Sequence, residues 1–149
     1  MGYRSFVGKL LFAMKKTYPE LANPVRELSS HMECPGEEHW KFIGRMVGYL
    51  KHEATHGLRF KPKDLAIIGM VDSDFAMNKD TRKSTTGYLV TVGGCLVGWM
   101  SKAQPSVTLS STEAEYVAAS MCATEIRFIT MLMGELGVVY PRPSMLKRG

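Results

Sequence analysis

The hydrophobic period of this chain changes at Pro62, and that change limits its fold more than any other feature. Before Pro62 the apolar residues recur at spacings of three and four, which is typical of amphipathic helices. After Pro62 they come in short runs rich in β-branched residues, followed by one long helical pattern. The sequence therefore predicts a helical segment over residues 1–63 and an α/β unit over residues 64–149.

The helical segment contains three predicted helices. The first begins at Arg4 and ends before Pro19, and the second lies within residues 20–32. Pro24 falls in the first turn of the second helix, where a missing backbone N–H costs little. The third helix follows Gly36 and presents one apolar stripe, which consists of Trp40, Ile43, Val47 and Leu50.

The second part contains three predicted strands, one helix and the start of a fourth strand. The strands have the sequences "DLAIIGMVDSD", "GYLVTV" and "CLVGWMS". Gly93 and Gly94 separate the second strand from the third and are typical of a tight hairpin. A helix from Thr112 to Leu136 follows, and "SMLKRG" has the pattern of half a strand. The expected order is β-β-β-α-β.

Charge is distributed unevenly along the chain. Residues 1–63 contain 11 basic and 6 acidic residues, whereas residues 64–149 contain 8 of each, so the net charge of +5 lies in the first part. Such a basic surface is typical of proteins that contact phosphates, although a solvated helical face accounts for it about as often.

The cysteines and the apolar runs exclude several classes of protein. Cys34, Cys95 and Cys122 are far apart and form no CxxC pattern, so we expect buried free thiols rather than disulfides or a zinc site. No apolar run reaches the about 18 residues that a membrane helix needs, and no signal-peptide pattern begins the sequence. We expect an intracellular protein without a membrane partner, in a cytoplasmic particle or in the nucleus.

Two aspartates end the first predicted strand. Asp72 and Asp74 are two residues apart and therefore project to one side of a strand, where like charges repel unless a cation lies near them. A polar turn after the strand is the alternative interpretation, and the spacing alone leaves both open.

Two glutamates lie at the start of the long helix. Ser110 with Glu113 and Thr112 with Glu115 both fit the S/T-x-x-E capping box, and only one of them can form. If Ser110 is the N-cap, Glu115 lies on the side facing the sheet, where a carboxylate needs a partner. A cation shared with Asp72 would supply that partner, and an all-oxygen site suits Mg²⁺.

The sequence around these acids is similar to that of a known family. The stretch "VDSDFAMNKDTRKSTTGYLVTVGGCLVGWMSKAQPSVTLSSTEAEYVAAS" closely resembles the ribonuclease H domain of copia-type LTR retrotransposon Pol polyproteins. The stretches "YRSFVGKLLFA" and "EEHWKFIGRMVGYLK" resemble the helical segment that connects reverse transcriptase to ribonuclease H in that family. The resemblance implies a ribonuclease H-like α/β fold, truncated in its fourth strand and preceded by a helical connection segment.

The resemblance also implies roles for individual residues. Asp72 matches the first catalytic aspartate and Glu115 the catalytic glutamate, both as ligands of Mg²⁺ or Mn²⁺, which leaves Glu113 as the capping residue. Asp74 is a signature position. The implied partners are an RNA–DNA hybrid and the reverse transcriptase part of the parent polyprotein.

The loop before the second strand supplies candidate contacts to a nucleic-acid backbone. Its hydroxyl and cationic side chains are those of Thr81, Arg82, Lys83, Ser84 and Thr85. A polar hairpin loop with no ligand explains the same residues equally well.

The sequence departs from the family pattern at the fourth strand. The family has a third aspartate there, in a C-D-N wording, whereas Arg148 and Gly149 hold the matching positions here. Nothing in the sequence resembles the paired aspartates of a reverse transcriptase. Three functions remain: an endonuclease for RNA in RNA–DNA hybrids, a non-catalytic nucleic-acid-binding module, and a degenerate transposon remnant. The missing carboxylate favours the last two.

We expect nucleic-acid binding that is weak, sequence-independent and strongly salt-sensitive, because the excess positive charge lies in residues 1–63. Replacing Lys41, Arg45 and Lys51 together by glutamine should reduce the salt dependence of the binding constant, since fewer counterions are released. Titration of a fluorescent duplex at several salt concentrations measures that slope. An unchanged slope would locate the contact surface elsewhere.

Overall fold

A computed structural model describes residues 2–74, 83–104, 110–141 and 144–148, with Asp74 and Arg148 described in their backbone alone. The chain divides into two compact units, Met1–Leu58 and Arg59–Gly149. The division therefore lies slightly before the predicted boundary between Lys63 and Asp64.

The first unit consists of helices. They are α1 (Tyr3–Lys16), a 3₁₀ turn (Pro19–Leu21), α2 (Ala22–Ser30) and α3 (Glu37–His52). Pro24 is the third residue of α2, as its sequence position predicts, because a proline in the first turn removes no intrahelical hydrogen bond. The buried side chains from all of these elements form one core, which comprises Tyr3, Val7, Leu10, Leu21, Val25, Leu28, Ile43 and Met46.

The apolar stripe of the sequence predicts that Trp40 is buried in this core, but the structure places it at the surface. It is 41% exposed and packs edge-on against Tyr3 and Phe6, at ring-centroid distances of 5.4 and 5.9 Å. Ile43 and Met46 are the buried residues of α3, so the helix face is rotated from the predicted stripe toward Met46. The periodicity identified the helix but not the centre of its buried face.

The second unit contains a four-stranded mixed sheet. Its strands are β1 (Ile67–Asp74), β2 (Thr85–Val92), β3 (Cys95–Ala103) and β4 (Met145–Arg148), in the spatial order β3-β2-β1-β4. The first three strands pair antiparallel, and β4 pairs parallel to β1. The predicted order of elements, β-β-β-α-β, is confirmed, and the unit is of mixed α/β class.

The hairpin between β2 and β3 forms where the sequence predicts it. Gly93 and Gly94 have φ angles of +59° and +79°, a left-handed backbone that side chains with a Cβ adopt only with strain. Two consecutive positive φ angles are those of a type I′ turn, whose twist matches that of the flanking strands.

Helix α4 (Ser111–Glu135) covers one face of the sheet. Gly137 follows the C-cap residue Leu136, and its φ of +68° turns the chain so that the N–H of Val138 donates to the carbonyl of Met133 at 2.9 Å. Five of its residues are buried and lie along one face, namely Ala114, Ala118, Cys122, Ile126 and Met133. Cys95 and Cys122 are buried as predicted, whereas Cys34 is exposed.

By length and composition alone, α4 could cross a membrane, contrary to the expectation that no segment is long and apolar enough. The search for an uninterrupted apolar run does not identify α4, because Glu125 and Arg127 lie among its apolar residues. Its buried face packs against β1 and β2, so the apolar residues of that face are accounted for by the core of the sheet.

The contact between α4 and β1 is close enough that a side chain at position 69 would have to displace its neighbours. A Cβ at Gly69 would lie 2.6 Å from Cys122 Sγ and 2.7 Å from Ile126 Cδ1. Gly69→Ala should therefore lower the free energy of unfolding of the second unit by about 1–3 kcal/mol, because a packed interface must shift.

Urea denaturation followed by Trp99 fluorescence, in a Trp40→Phe background, measures this change in the second unit. Gly134→Ala is the matched control, since a Cβ there meets nothing within 4 Å and alanine favours the helix. Equal stability of Gly69→Ala and the unsubstituted chain would show that the interface is looser than described.

Candidate metal site at the end of β1

Asp72 lies near the C-terminal end of β1 and is exposed. Its Oδ1 accepts a hydrogen bond from the backbone N–H of Ser73 at 2.9 Å. In the register of the sheet, Asp72 lies beside Gly87 of β2, which has no side chain to cover it. The carboxylate is therefore accessible to a ligand from solvent.

Glu115 lies just after the first turn of α4 and is half-buried. The structure selects one of the two possible caps: Ser110 is the N-cap, and its Oγ accepts from the N–H of Glu113 at 3.1 Å. Ser110 satisfies one of the backbone donors that a helix start leaves unpaired. Because the cap is at Ser110, the helix brings Glu115 toward the end of β1.

Asp72 and Glu115 line the same cavity, which has a volume of about 280 Å³. Its other walls come from β1, α4 and β4, and comprise Val71, Ser73, Thr112, Tyr116, Ala119 and Leu146. Ser73 Oγ is buried and has no hydrogen-bond partner in the part of the chain that the structure describes. The cavity is thus lined by three residues with oxygen-bearing side chains, Asp72, Ser73 and Glu115.

The two carboxylates approach this cavity from different sides. A Cβ at Gly69 would face α4, and Val71 is buried against α4, so strand alternation assigns Asp72 to the opposite face. The parallel strand β4 pairs as far as Val71, which stands opposite Arg148.

The donor chemistry of the cavity fits a hard divalent cation, because carboxylate and hydroxyl oxygens are the ligands that Mg²⁺ prefers. Within residues 2–74, 83–104, 110–141 and 144–148, however, no group of three His, Cys, Asp or Glu side chains could hold a metal together. Asp72 and Glu115 would thus leave most coordination positions to water. The predicted role of Asp74 concerns a side chain outside the described part.

The other predicted nucleic-acid contacts fall into two groups. Lys41, Arg45 and Lys51 are exposed on α3, and Lys41 lies 3.9 Å from Glu37 in an exposed ion pair. Such a pair holds Lys41 only weakly in solution. All three side chains are accessible to a ligand.

The loop before β2 does not expose two of the hydroxyls that the sequence suggests. Ser84 is 0% exposed and Thr85, which begins β2, is 6% exposed. Lys83 is half-buried, and Thr81 and Arg82 lie outside the described residues. β2 begins two residues earlier than the hydrophobic pattern indicates, which places Ser84 and Thr85 in the packed interior, and their contact with nucleic acid stays a prediction.

Sequence reasoning missed one residue beside the site. Gln104 is 1% exposed, and its Nε2 donates to Thr86 Oγ1 at 3.0 Å and to the carbonyl of Ala114 at 2.9 Å. A glutamine after a strand is usually exposed, so the local sequence carries no signal of its burial.

Two titratable groups with raised pKa values lie between β2 and α4, away from this cavity: Tyr88 on β2 and Cys122 on α4. Burial, together with the smaller effect of the nearby Glu125 carboxylate, raises the pKa of Tyr88 to about 12. Burial also raises the pKa of the Cys122 thiol, so that this side chain behaves as a small apolar residue. Neither residue lines the cavity of Asp72 and Glu115.

The chain is similar to segments of much longer proteins. It is 40% identical over 136 residues to the Retrovirus-related Pol polyprotein from transposon TNT 1-94 of Nicotiana tabacum, covering 91% of this chain and 10% of the polyprotein. It is 37% identical over 145 residues to the Pol polyprotein from transposon RE1 of Arabidopsis thaliana, covering 97% and 10%. The chain thus spans about a tenth of these relatives.

A shorter relative is matched over nearly its whole length. The chain is 39% identical over 130 residues to Secreted RxLR effector protein 161 of Plasmopara viticola, covering 87% of this chain and 92% of that protein. No family model matches the chain. No solved structure matches it either.

The N-cap of α4 gives a direct test of how the site is positioned. Ser110→Ala should lower the free energy of unfolding of the second unit by about 1 kcal/mol, because the N–H of Glu113 loses its acceptor. Ser111→Ala, an exposed serine one residue later, should change it by no more than about 0.5 kcal/mol. Urea denaturation compares the two, and an equal effect would move the cap away from Ser110.

Proposed function

Because the chain belongs to the family of the copia-type retrotransposon Pol polyproteins, as one segment of them, we propose that its second unit is a ribonuclease H-like domain. In this proposal Asp72 and Glu115 hold one divalent cation, Mg²⁺ or Mn²⁺. The chain binds RNA–DNA hybrids but cleaves them too slowly to be useful. As far as the described residues define it, the site in this proposal is a partial form of a metal-dependent nuclease site.

A single observation carries this proposal: Asp72 from β1 and Glu115 from α4 line one cavity. Carboxylate oxygens are the protein ligands that hard divalent cations such as Mg²⁺ prefer. The buried Ser73 Oγ, without a partner among the described residues, supplies a further oxygen at the same place. This set of oxygen donors supports Mg²⁺ or Mn²⁺ rather than Zn²⁺, which prefers nitrogen and sulfur.

The low activity follows from the number of ligands. A divalent cation at this position supplies Lewis-acid activation of water and of a phosphodiester. Two cations about 4 Å apart need a bridging carboxylate and further ligands to offset their repulsion. The described residues bring two carboxylates to the cavity, which suffices to position one cation. Loss of one member from a group that acts as a unit usually costs orders of magnitude in rate.

Nucleic-acid binding is assigned to the first unit. The exposed side chains of Lys41, Arg45 and Lys51 project from α3, which belongs to this unit. Contacts from such side chains go to phosphates, which position a duplex without reading its sequence. The binding that we propose is therefore nonspecific.

A second candidate function is a non-catalytic module. One observation favours it: the segment makes up 92% of the Plasmopara viticola protein and so occurs apart from a long polyprotein. In that case the basic helices would bind nucleic acid while the cavity holds no cation. Metal binding separates the two candidates.

The test measures Mn²⁺ binding to the full 149-residue chain through the electron paramagnetic resonance signal of free Mn²⁺. We expect a dissociation constant of about 1 mM or somewhat below, as for weak oxygen sites. Asp72→Asn and Glu115→Gln should each weaken binding about tenfold or more. Glu113→Gln, which removes an equal charge from the same helix start, should change it about twofold at most.

Hybrid cleavage, assayed with Mg²⁺ and Mn²⁺, tests the second half of the proposal. We expect a rate close to background for the unsubstituted chain. Rapid cleavage that disappears with Glu115→Gln would contradict the proposed incompleteness of the site. Mn²⁺ binding that is absent, or that survives both substitutions, would favour the non-catalytic module.

A further inference from the structure

The geometry points to Gln104 as the positioning residue of the metal site, holding the start of α4, and with it Glu115, against the sheet. This inference rests on the proposed function, because the purpose of the positioning is the shared cavity of Asp72 and Glu115. Gln104 does not line that cavity and acts only through its neighbours.

Gln104 is attached to the sheet at two points. Its backbone N–H donates to the carbonyl of Ser84 at 2.8 Å, which extends the pairing of β2 and β3. Its Nε2 donates to Thr86 Oγ1 at 3.0 Å, and Thr86 stands beside Ser73 in the register of β1 and β2. The amide is thus anchored one residue away from Asp72 in the pairing of the sheet.

The same amide is attached to α4. Its Nε2 also donates to the carbonyl of Ala114 at 2.9 Å, and Ala114 immediately precedes Glu115. Residues 105–109, which connect Gln104 to Ser110 along the chain, lie outside the described part. The hydrogen bond to Ala114 therefore links the two ends of that connection directly.

The orientation of the amide is determined by its partners. The carbonyl of Ala114 can only accept, so the nitrogen and not the oxygen of the amide must face it. Gln104 Oε1 is buried without a partner in the described residues. Burying an amide in this way costs free energy, which a purely space-filling role would avoid by using an apolar residue.

A buried link of this kind affects the site through geometry. Ligand positions must be held to within a fraction of an ångström, and their supporting hydrogen bonds contribute strongly to metal affinity. The Ser110 cap sets where α4 begins, but its hydrogen bond joins two residues of the same first turn and does not link the helix to the sheet. Gln104 joins that start to the strands beside Asp72.

The test substitutes Gln104→Met in the full chain, which keeps the length of the side chain and removes both donors. Amide hydrogen exchange, followed by NMR, should become about tenfold faster at Glu115, Tyr116 and Val117, because the start of the helix opens more often. Exchange over residues 124–127, farther along α4, should change by no more than about twofold. Mn²⁺ affinity should fall about tenfold.

Thr91→Val is the matched control. Thr91 Oγ1 on β2 donates to the carbonyl of Ile68 on β1 at 3.3 Å, toward the other end of β1 from Asp72. It should lower the melting temperature without changing exchange at the start of α4 or the Mn²⁺ affinity. If Gln104→Met does not fold, Thr86→Val removes the anchor on β2 and should change exchange and affinity in the same direction.

Each outcome decides whether Gln104 positions the start of α4 or only stabilises the fold. Unchanged exchange at the start of α4, or equal acceleration along the whole helix, would overturn the positioning role. So would unchanged Mn²⁺ affinity in a chain that binds Mn²⁺ and loses binding with Glu115→Gln. If the unsubstituted chain binds no Mn²⁺, the proposed function fails, and the exchange pattern alone decides whether Gln104 holds the helix start.

Discussion

The close packing of α4 on β1 is the contact on which the second unit depends. Glycine at position 69 lets the helix approach until Cys122 and Ile126 occupy the space that a Cβ would fill. The buried residues of α4 then join Ile67, Val71 and Val90 in one core. Interiors of this density transmit small shifts, so the distance between helix and strand also sets the shape of the cavity at the end of β1.

That packing determines how far apart helix and sheet lie, but it does not by itself determine the rotation and the start of the helix. Two polar contacts do so. Ser110 caps the first turn through the N–H of Glu113, and the Gln104 amide connects the carbonyl of Ala114 to Thr86. Both contacts lie within a few residues of Glu115, which gives a half-buried carboxylate a defined position beside the end of β1.

The two units differ in the chemistry that they present. The first has an apolar helical core and exposed basic side chains on α3, while the second has a cavity lined by Asp72 and Glu115. A polyanion is attracted by the basic side chains and repelled by the two acidic residues unless a cation is bound. These local charges are the physical basis of the proposal that nucleic-acid binding and metal binding lie in separate units.

The sequence alone was sufficient for the features that depend on neighbouring residues. The helices, the Gly93–Gly94 hairpin and the position of Pro24 follow from periodicity and from backbone preferences, which act over a few positions. The choice of Asp72 and Glu115 came from the motif around them. The local pattern could not decide whether Ser110 or Thr112 is the N-cap, because both fit the S/T-x-x-E capping box. The structure has Ser110 as the N-cap.

Only the tertiary structure decided which side chains are buried and what they contact. Ser84, Thr85 and Gln104 are polar and read as surface residues, yet all three are buried, while the apolar Trp40 is partly exposed. The face on which Asp72 lies also follows from the packing of Gly69 and Val71 against a helix about fifty residues later in the chain. Burial and facing depend on partners that are distant in sequence, and a local pattern carries no information about where those partners pack.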